Sequence, residues 1–160
     1  MNDRERLDVQ KWVLERQLHW ISGADTKAAA LVALYLALGG IAIDSLKSSE
    51  TGNILAIAIA ISSIVSALGA GYAAAVFFPI TTGGDGSMIF FGRIRNFKKE
   101  EYIEHCFQVG AKEIIEDIAR QTHRNSEIAA WKYDLIRISM RLAVVAVACW
   151  VVTLASMAVA

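Results

Sequence analysis

The chain has 160 residues and no formal net charge, yet 55% of its residues are hydrophobic and only one is proline. A soluble domain of this length hides only part of such an apolar surface, and the length suits one unit rather than two independent domains. Charged and apolar stretches alternate along the sequence, which is how a membrane protein is punctuated.

From Arg4 to Ile21 apolar residues recur at Val9, Trp12, Val13, Leu18 and Ile21, a helical pattern. Only Ser22 and Gly23 interrupt it, so this amphipathic helix is expected to join the first span with little break. That span runs from Ala28 to Ile43, between Lys27 and Asp44. At the helical rise it covers about 24 Å, slightly short of a ~30 Å hydrocarbon core, and Trp20 and Ile21 complete it at one interface. The second span, from about Ile54 to Ile80, carries no charge. Gly69 and Gly71, with Ala67 and Ala70, give it a small-residue face for close helix approach, and Pro79 marks its end.

The stretch Thr81 to Ser87 contains Gly83, Gly84 and Gly86 and reads as a loop. It is not a Walker loop, because no Gly-Lys-Ser/Thr follows; its amides either cradle an anion or form a plain connector. Met88 to Phe91, before Gly92, fits a short strand or a hydrophobic docking segment. Helix resumes near Lys99, with Glu100 and Glu101 in the favourable acidic first turn. Tyr102, Ile103, Phe107, Ile114, Ile118, Ile128, Trp131, Leu135 and Ile138 then recur at mostly helical spacing. One or two long amphipathic helices are expected, with any break at Asn125 and Ser126. The third span, Leu142 to Ala160, follows Arg141.

The expected fold is therefore all-α, an integral membrane protein with three transmembrane helices and long cytoplasmic helical extensions. Its divisions are a cytoplasmic helix over 1–27, two spans with a short outer loop over 28–80, a cytoplasmic loop and long helix over 81–141, and a third span over 142–160. Lysine and arginine concentrate before the first span and between the second and third, so these segments and the N-terminus are expected in the cytoplasm and the C-terminus outside. The charged first two dozen residues do not read as a signal peptide, and neither end carries a lipidation motif. The cytoplasmic helices lack enough partner surface within one chain, so a homo-oligomer is expected.

Cys106 and Cys149 lie far apart and, like His19, His105 and His123, lack metal-ligand spacing. No nucleophile motif stands beside a histidine, so neither catalytic activity nor a cofactor or metal is expected. Asp117, Gln121 and Arg124 lie one turn apart on one face, either a polar ligand site or a solvated or intersubunit face. Asp25 and Lys27 sit where the first span enters the bilayer, where charge is costly unless paired or used. They read either as an interfacial ion pair or as a polar site that Arg16 joins.

The segment Glu15-Arg16-Gln17-Leu18-His19-Trp20-Ile21-Ser22-Gly23-Ala24-Asp25-Thr26-Lys27-Ala28-Ala29-Ala30-Leu31 resembles the opening of the Pycsar transmembrane effector family. Further matches follow in order: Phe78-Pro79, Ile89-Phe90-Phe91-Gly92 with Ile94, Glu101-Tyr102, Asp117 with Gln121, and Lys132 with Leu135 and Arg137. The likeness covers nearly the whole chain. One departure is Ile80 and Thr81 after Pro79, where members often carry a basic residue.

The resemblance implies a bacterial antiphage effector of the inner membrane. It would sense cyclic UMP or cyclic CMP and impair membrane integrity, arresting the infected cell; the alternative is a constitutive oligomeric channel or scaffold without nucleotide sensing. Such a ligand needs a cation for its phosphate, an acid or amide for its ribose hydroxyl and an aromatic face for its base. Arg16, Asp25, Lys27, Asp117, Gln121 and Arg124 are the candidate ligand or coupling residues, with Trp20, Tyr102, Phe91 and Trp131 as stacking candidates. The expected partners are the bilayer, the cyclic nucleotide and further copies of the chain, and no nucleic-acid polymer.

Overall fold

A computed structural model describes residues 1–47, 53–81 and 87–159, and all regular structure among them is helical. The elements in order are α1 (Asp3–Lys47), α2 (Asn53–Ala75), the single turn α3 (Phe91–Ile94), α4 (Lys99–Gln108) and α5 (Ala111–Val159). Three of them, α1, α2 and α5, are long and apolar enough to cross a bilayer. In hydrocarbon every backbone amide and carbonyl needs an internal partner, a condition that continuous helix meets.

Helix α1 opens on a capping box. The Glu5 amide donates to Asn2 Oδ1 at 2.8 Å, and the Asn2 amide donates to Glu5 Oε2 at 3.0 Å. It then runs 45 residues straight through Ser22 and Gly23. Its shielded positions step by alternate threes and fours from Leu7, Gln10, Leu14, Gln17 and Ile21 to Ala24, Ala28, Leu31, Tyr35, Leu38, Ala42 and Ser45. A seam with a period of 3.5 residues is the coiled-coil repeat. The apolar residues that suggested the helix, Val9, Trp12 and Leu18, lie outside this seam and are exposed.

The contacts divide the chain into two compact units, residues 24–78 with 132–160 and residues 1–23 with 79–131.

In the unit of residues 24–78 and 132–160, each helix buries such a seam. On α2 it runs through Leu55, Ile59, Ser62, Ser66, Gly69 and Ala73 to Val76 just beyond the helix end. Over this part of α5 it comprises Lys132, Ile136, Ser139, Ala143, Ala146, Trp150 and Thr153. Tyr35, Leu38, Ile59, Ala73, Ala146 and Trp150 share one core cluster, and Ala24, Ala28, Val76 and Ile136 share a second. The opposite face of α2 exposes Ile54, Ile57, Ile61, Ile64 and Leu68, the greasy surface a bilayer requires. Helix α2 ends at Ala75, before the expected Ile80. Val76, Phe77 and Phe78 turn their amides back to the carbonyls three residues earlier at 3.1–3.3 Å. Pro79 disfavours helical geometry in the residue before it.

In the unit of residues 1–23 and 79–131, Met88 to Phe91 forms no strand. Ser87 Oγ takes the amides of Ile89 and Phe90 at 3.3 and 3.0 Å, leading into α3. Helix α4 starts at Lys99 with Glu100 and Glu101 in its first turn, as expected. The break before the last helix lies at Val109 and Gly110, not at Asn125 and Ser126. Val109 is extended, and Glu113 accepts the Gly110 amide at 3.2 Å to start α5. Ser126 Oγ instead donates to the His123 carbonyl at 2.6 Å, and the helix carries on to Val159.

Candidate functional site

The helices of the 24–78 and 132–160 unit place polar groups on seams that would otherwise be apolar. Lys132, on the α5 seam, has a side chain only 9% exposed, and its Nζ lies 2.5 Å from Asp25 Oδ1 on α1, whose side chain is 38% exposed. Two residues on along α1, Lys27 Nζ donates to the Tyr133 hydroxyl at 3.4 Å and sits 4.7 Å from the ring centre. Asp25 thus pairs with Lys132 and not, as the spacing suggested, with Lys27.

Further along, the three helices meet at one knot. Tyr35 Oη donates to the Ser139 carbonyl at 2.6 Å, and Ser139 Oγ donates to the Gly69 carbonyl at 2.9 Å. A Cβ on Gly69 would stand 2.0 Å from Tyr35 Oη. Only glycine lets the tyrosine cross there. Beyond the knot, Trp150 Nε1 donates to Ser66 Oγ at 3.3 Å, and the hydroxyls of Ser62 and Thr153 lie 3.4 Å apart. Ser62 and Ser66 also donate to carbonyls one turn back on their own helix, so neither hydroxyl proton is left unsatisfied. Removing the Ser62–Thr153 contact by Thr153→Val is expected to cost about 0.6 kcal/mol in detergent unfolding, the average for such contacts in membrane helices. A loss above ~2 kcal/mol would mean that this pair does more than join two helices.

The second polar cluster docks the segment after the glycine loop onto α5. Asp117 Oδ2 accepts the Met88 amide at 2.8 Å and the Ser87 hydroxyl at 3.2 Å. From α4, the Tyr102 hydroxyl donates to the Met88 carbonyl at 3.1 Å. Burial, helped by the neighbouring Cys106 thiol, raises the Tyr102 phenol above its ordinary pKa and keeps it a donor. A groove of about 260 Å³ opens beside this cluster, lined by Met88, His105, Val109, Glu113, Glu116, Asp117 and Arg120. Arg120 is already paired with Glu116, so the groove holds more acid than base. Asp117→Ala is expected to free the Met88 amide and cost about 1–3 kcal/mol. Hydrogen exchange at Met88–Phe90 should quicken while α2 is unaffected.

Residues 10–159 match a family model described as the Pycsar effector protein domain. The chain belongs to this family. No curated protein and no solved structure matches it. Membership, with three helices able to span a bilayer, implies a membrane effector of antiphage cyclic-pyrimidine signalling.

The candidate residues of this Pycsar effector fall into both units. Asp25 and Lys27 belong to the 24–78 and 132–160 unit; Arg16, Asp117, Gln121 and Arg124 belong to the other, with all four stacking candidates. Arg16 lies over its own neighbour Trp12 at 5.8 Å. Gln121 is buried one turn from Asp117, and Arg124 Nη1 holds Glu127 Oε2 at 2.9 Å. Tyr102 joins Asp117 at Met88. Phe91 packs against Phe90 at 4.9 Å and is largely exposed, while Trp20 and Trp131 are more than a third exposed. Thr82 to Gly86, where an anion cradle was considered, lie outside the described residues.

Sequence reasoning passed over Lys132, Tyr133, Tyr35 and Ser139 as site residues. The available signal was three-four spacing. Lys132 is the only charged residue on the α5 seam from Ala129 to Thr153, and it falls in register with Ile136 and Ser139.

The hydrogen bond from Arg124, with weaker help from the charge of His123, holds the Glu127 carboxyl below the ordinary glutamate range. The pair's contribution is complete above the unfolded glutamate pKa and is lost as pH falls through the lowered value. Arg124→Gln is expected to return Glu127 toward the ordinary range in a carboxyl NMR titration. An unmoved midpoint would show that Arg124 does not set it.

Proposed function

We propose that the chain senses a cyclic pyrimidine mononucleotide, cyclic UMP or cyclic CMP, and impairs the integrity of the bacterial inner membrane in response. The family match over residues 10–159 carries this reading. The route we propose is a non-catalytic one. Arg124 is partly exposed on α5 and holds the exposed carboxylate of Glu127, a place that a cyclic phosphate can take. Gln121 and Asp117, one and two turns before it, present oxygen acceptors for a ribose hydroxyl. The present bonds of Asp117 fix Ser87 and Met88, so a ligand that draws on its carboxylate alters the hold on that segment. Helix α5 runs from Ala111 to Val159 and contributes residues to both units.

In this reading the ligand favours one association of copies over another, and it shifts that balance only by binding one state better. The N-terminus and the Asp117 unit lie in the cytoplasm, where the nucleotide is made. Arg16, Asp25 and Lys27 act in coupling rather than in ligand contact. The test is equilibrium binding of cyclic UMP and cyclic CMP to the detergent-purified full chain. Loss of a charge-assisted hydrogen bond of about 1.5–3 kcal/mol predicts roughly ten- to hundredfold weaker binding for Arg124→Gln. Arg120→Gln should bind as wild type. Binding of neither nucleotide by the intact chain removes the sensing proposal.

A further inference from the structure

We infer that the chain carries a built site for an anionic phospholipid, in the groove between α1 and α5 at the Lys27 end of the spans. The groove encloses about 690 Å³. Its floor is apolar, formed by Leu31, Leu34 and the buried Ile136, and its rim carries three cations, Lys27, Arg137 and Arg141. Apolar floor and cationic rim together match one kind of molecule, an acyl chain joined to a phosphate. A soluble anion would leave the floor wet, and a zwitterionic lipid would leave the rim's charge unmatched.

Depth sharpens the argument. Ala28, the first residue after Lys27 in the apolar stretch of α1, shares a core cluster with Val76 near the end of α2 and with Ile136 of α5. These three therefore lie at one level, where the apolar stretch of α1 begins and helix α2 has just ended. Arg141 stands five residues past Ile136, about 7.5 Å further along the helix at 1.5 Å per residue. Arg137 and Arg141 thus leave α5 below the level at which α1 becomes apolar. Arg137 is answered by Asp134 at 2.5 Å, an exposed pair in which both side chains are more than 60% accessible. Lys27 donates to the Tyr133 hydroxyl. Arginines at that depth reach back toward the headgroups, and a lipid phosphate is the anion available there. The inference needs the spans to lie in a bilayer and is independent of nucleotide sensing.

Native mass spectrometry of the detergent-purified full chain, titrated with phosphatidylglycerol or phosphatidylcholine of identical acyl chains, tests it. Wild type is expected to retain phosphatidylglycerol at least tenfold more tightly, since each basic residue near an anionic headgroup contributes about fivefold. The double variant Arg137→Gln/Arg141→Gln should lose about twenty-five-fold in that affinity, with phosphatidylcholine binding unchanged. Ala30→Trp, which fills the groove and keeps every charge, should lose both lipids while helicity and melting persist; it also serves if the arginine variant fails to fold. Arg120→Gln, in the other unit, should behave as wild type. Equal affinity for the two lipids overturns the proposal, and so does phosphatidylglycerol binding indifferent to both groove variants. A change in self-association with Ala30→Trp, without loss of lipid, overturns it too, and makes the groove a contact between copies.

Discussion

Replacing Gly69 by alanine is expected to destabilise the detergent-solubilised chain by about 3 kcal/mol, although it adds one methyl group. Overpacking a well-filled core costs about 1–3 kcal/mol, and here a buried hydrogen bond worth roughly 1 kcal/mol goes with it. The new Cβ would stand 2.0, 2.2 and 2.6 Å from Oη, Cζ and Cε1 of Tyr35, so the whole ring must move rather than its tip. Tyr35 is buried, and any swing takes Oη away from the Ser139 carbonyl. Gly71→Ala is the control, since nothing lies within 4 Å of its added Cβ and the site is exposed. Tyr35→Ala should cost less in the Gly69→Ala background than in wild type, the non-additivity of two groups contending for one space. Equal unfolding midpoints for the two glycine variants would dispose of the knot.

The second large effect belongs to the ion pair, and it should be lopsided. Asp25→Ala leaves the Lys132 ammonium shielded without a countercharge, and breaking a buried pair this way costs about 3–5 kcal/mol. Because Asp25 is itself 38% exposed, the lower end of that range is expected. Lys132→Met leaves a carboxylate that water reaches, so its cost should be smaller. The double variant Asp25→Ala/Lys132→Met should come close to wild type in stability, as apolar replacements of buried pairs often do. If that double variant is stable yet inactive in cells, the pair serves the response rather than the fold. Two single variants of equal cost would contradict the asymmetry of burial.

The helices were readable because hydrocarbon allows little else, and Pro79 and the Glu100–Glu101 turn punctuated them legibly. The helix contacts were harder to see for a physical reason. In water an apolar stripe marks the face turned to the core, but in lipid the tails are as apolar as leucine, and helices meet through small and polar residues. The periodic isoleucines Ile54, Ile57, Ile61 and Ile64 of α2 therefore mark its exposed face, while Ser62, Ser66 and Gly69 mark the seam. The same logic hid Lys132, which looks like one more charge before a span until its register is counted. Asn125 and Ser126 resembled a helix end because both favour caps. With neither glycine nor proline beside them, Ser126 bonds back along α5 and the helix continues.

Of the candidate site, residue types were legible and partners were not. Asp25 was identified as a charge in need of an answer, but its answer lies 107 positions away. Asp117 was singled out for its neighbours Gln121 and Arg124, one turn apart on its own helix. In the structure its bonds go to Ser87 and Met88, across the glycine loop. Local spacing finds partners on one helix; it is blind to those that the chain's return brings.

Dye release from liposomes holding the purified chain joins the two halves of the proposed function in a single reading. Release that starts only on adding cyclic UMP or cyclic CMP, spares cyclic AMP controls and is abolished by Arg124→Gln is the expected result. Release that is already complete without nucleotide, or absent with every nucleotide although the chain has inserted, would contradict it.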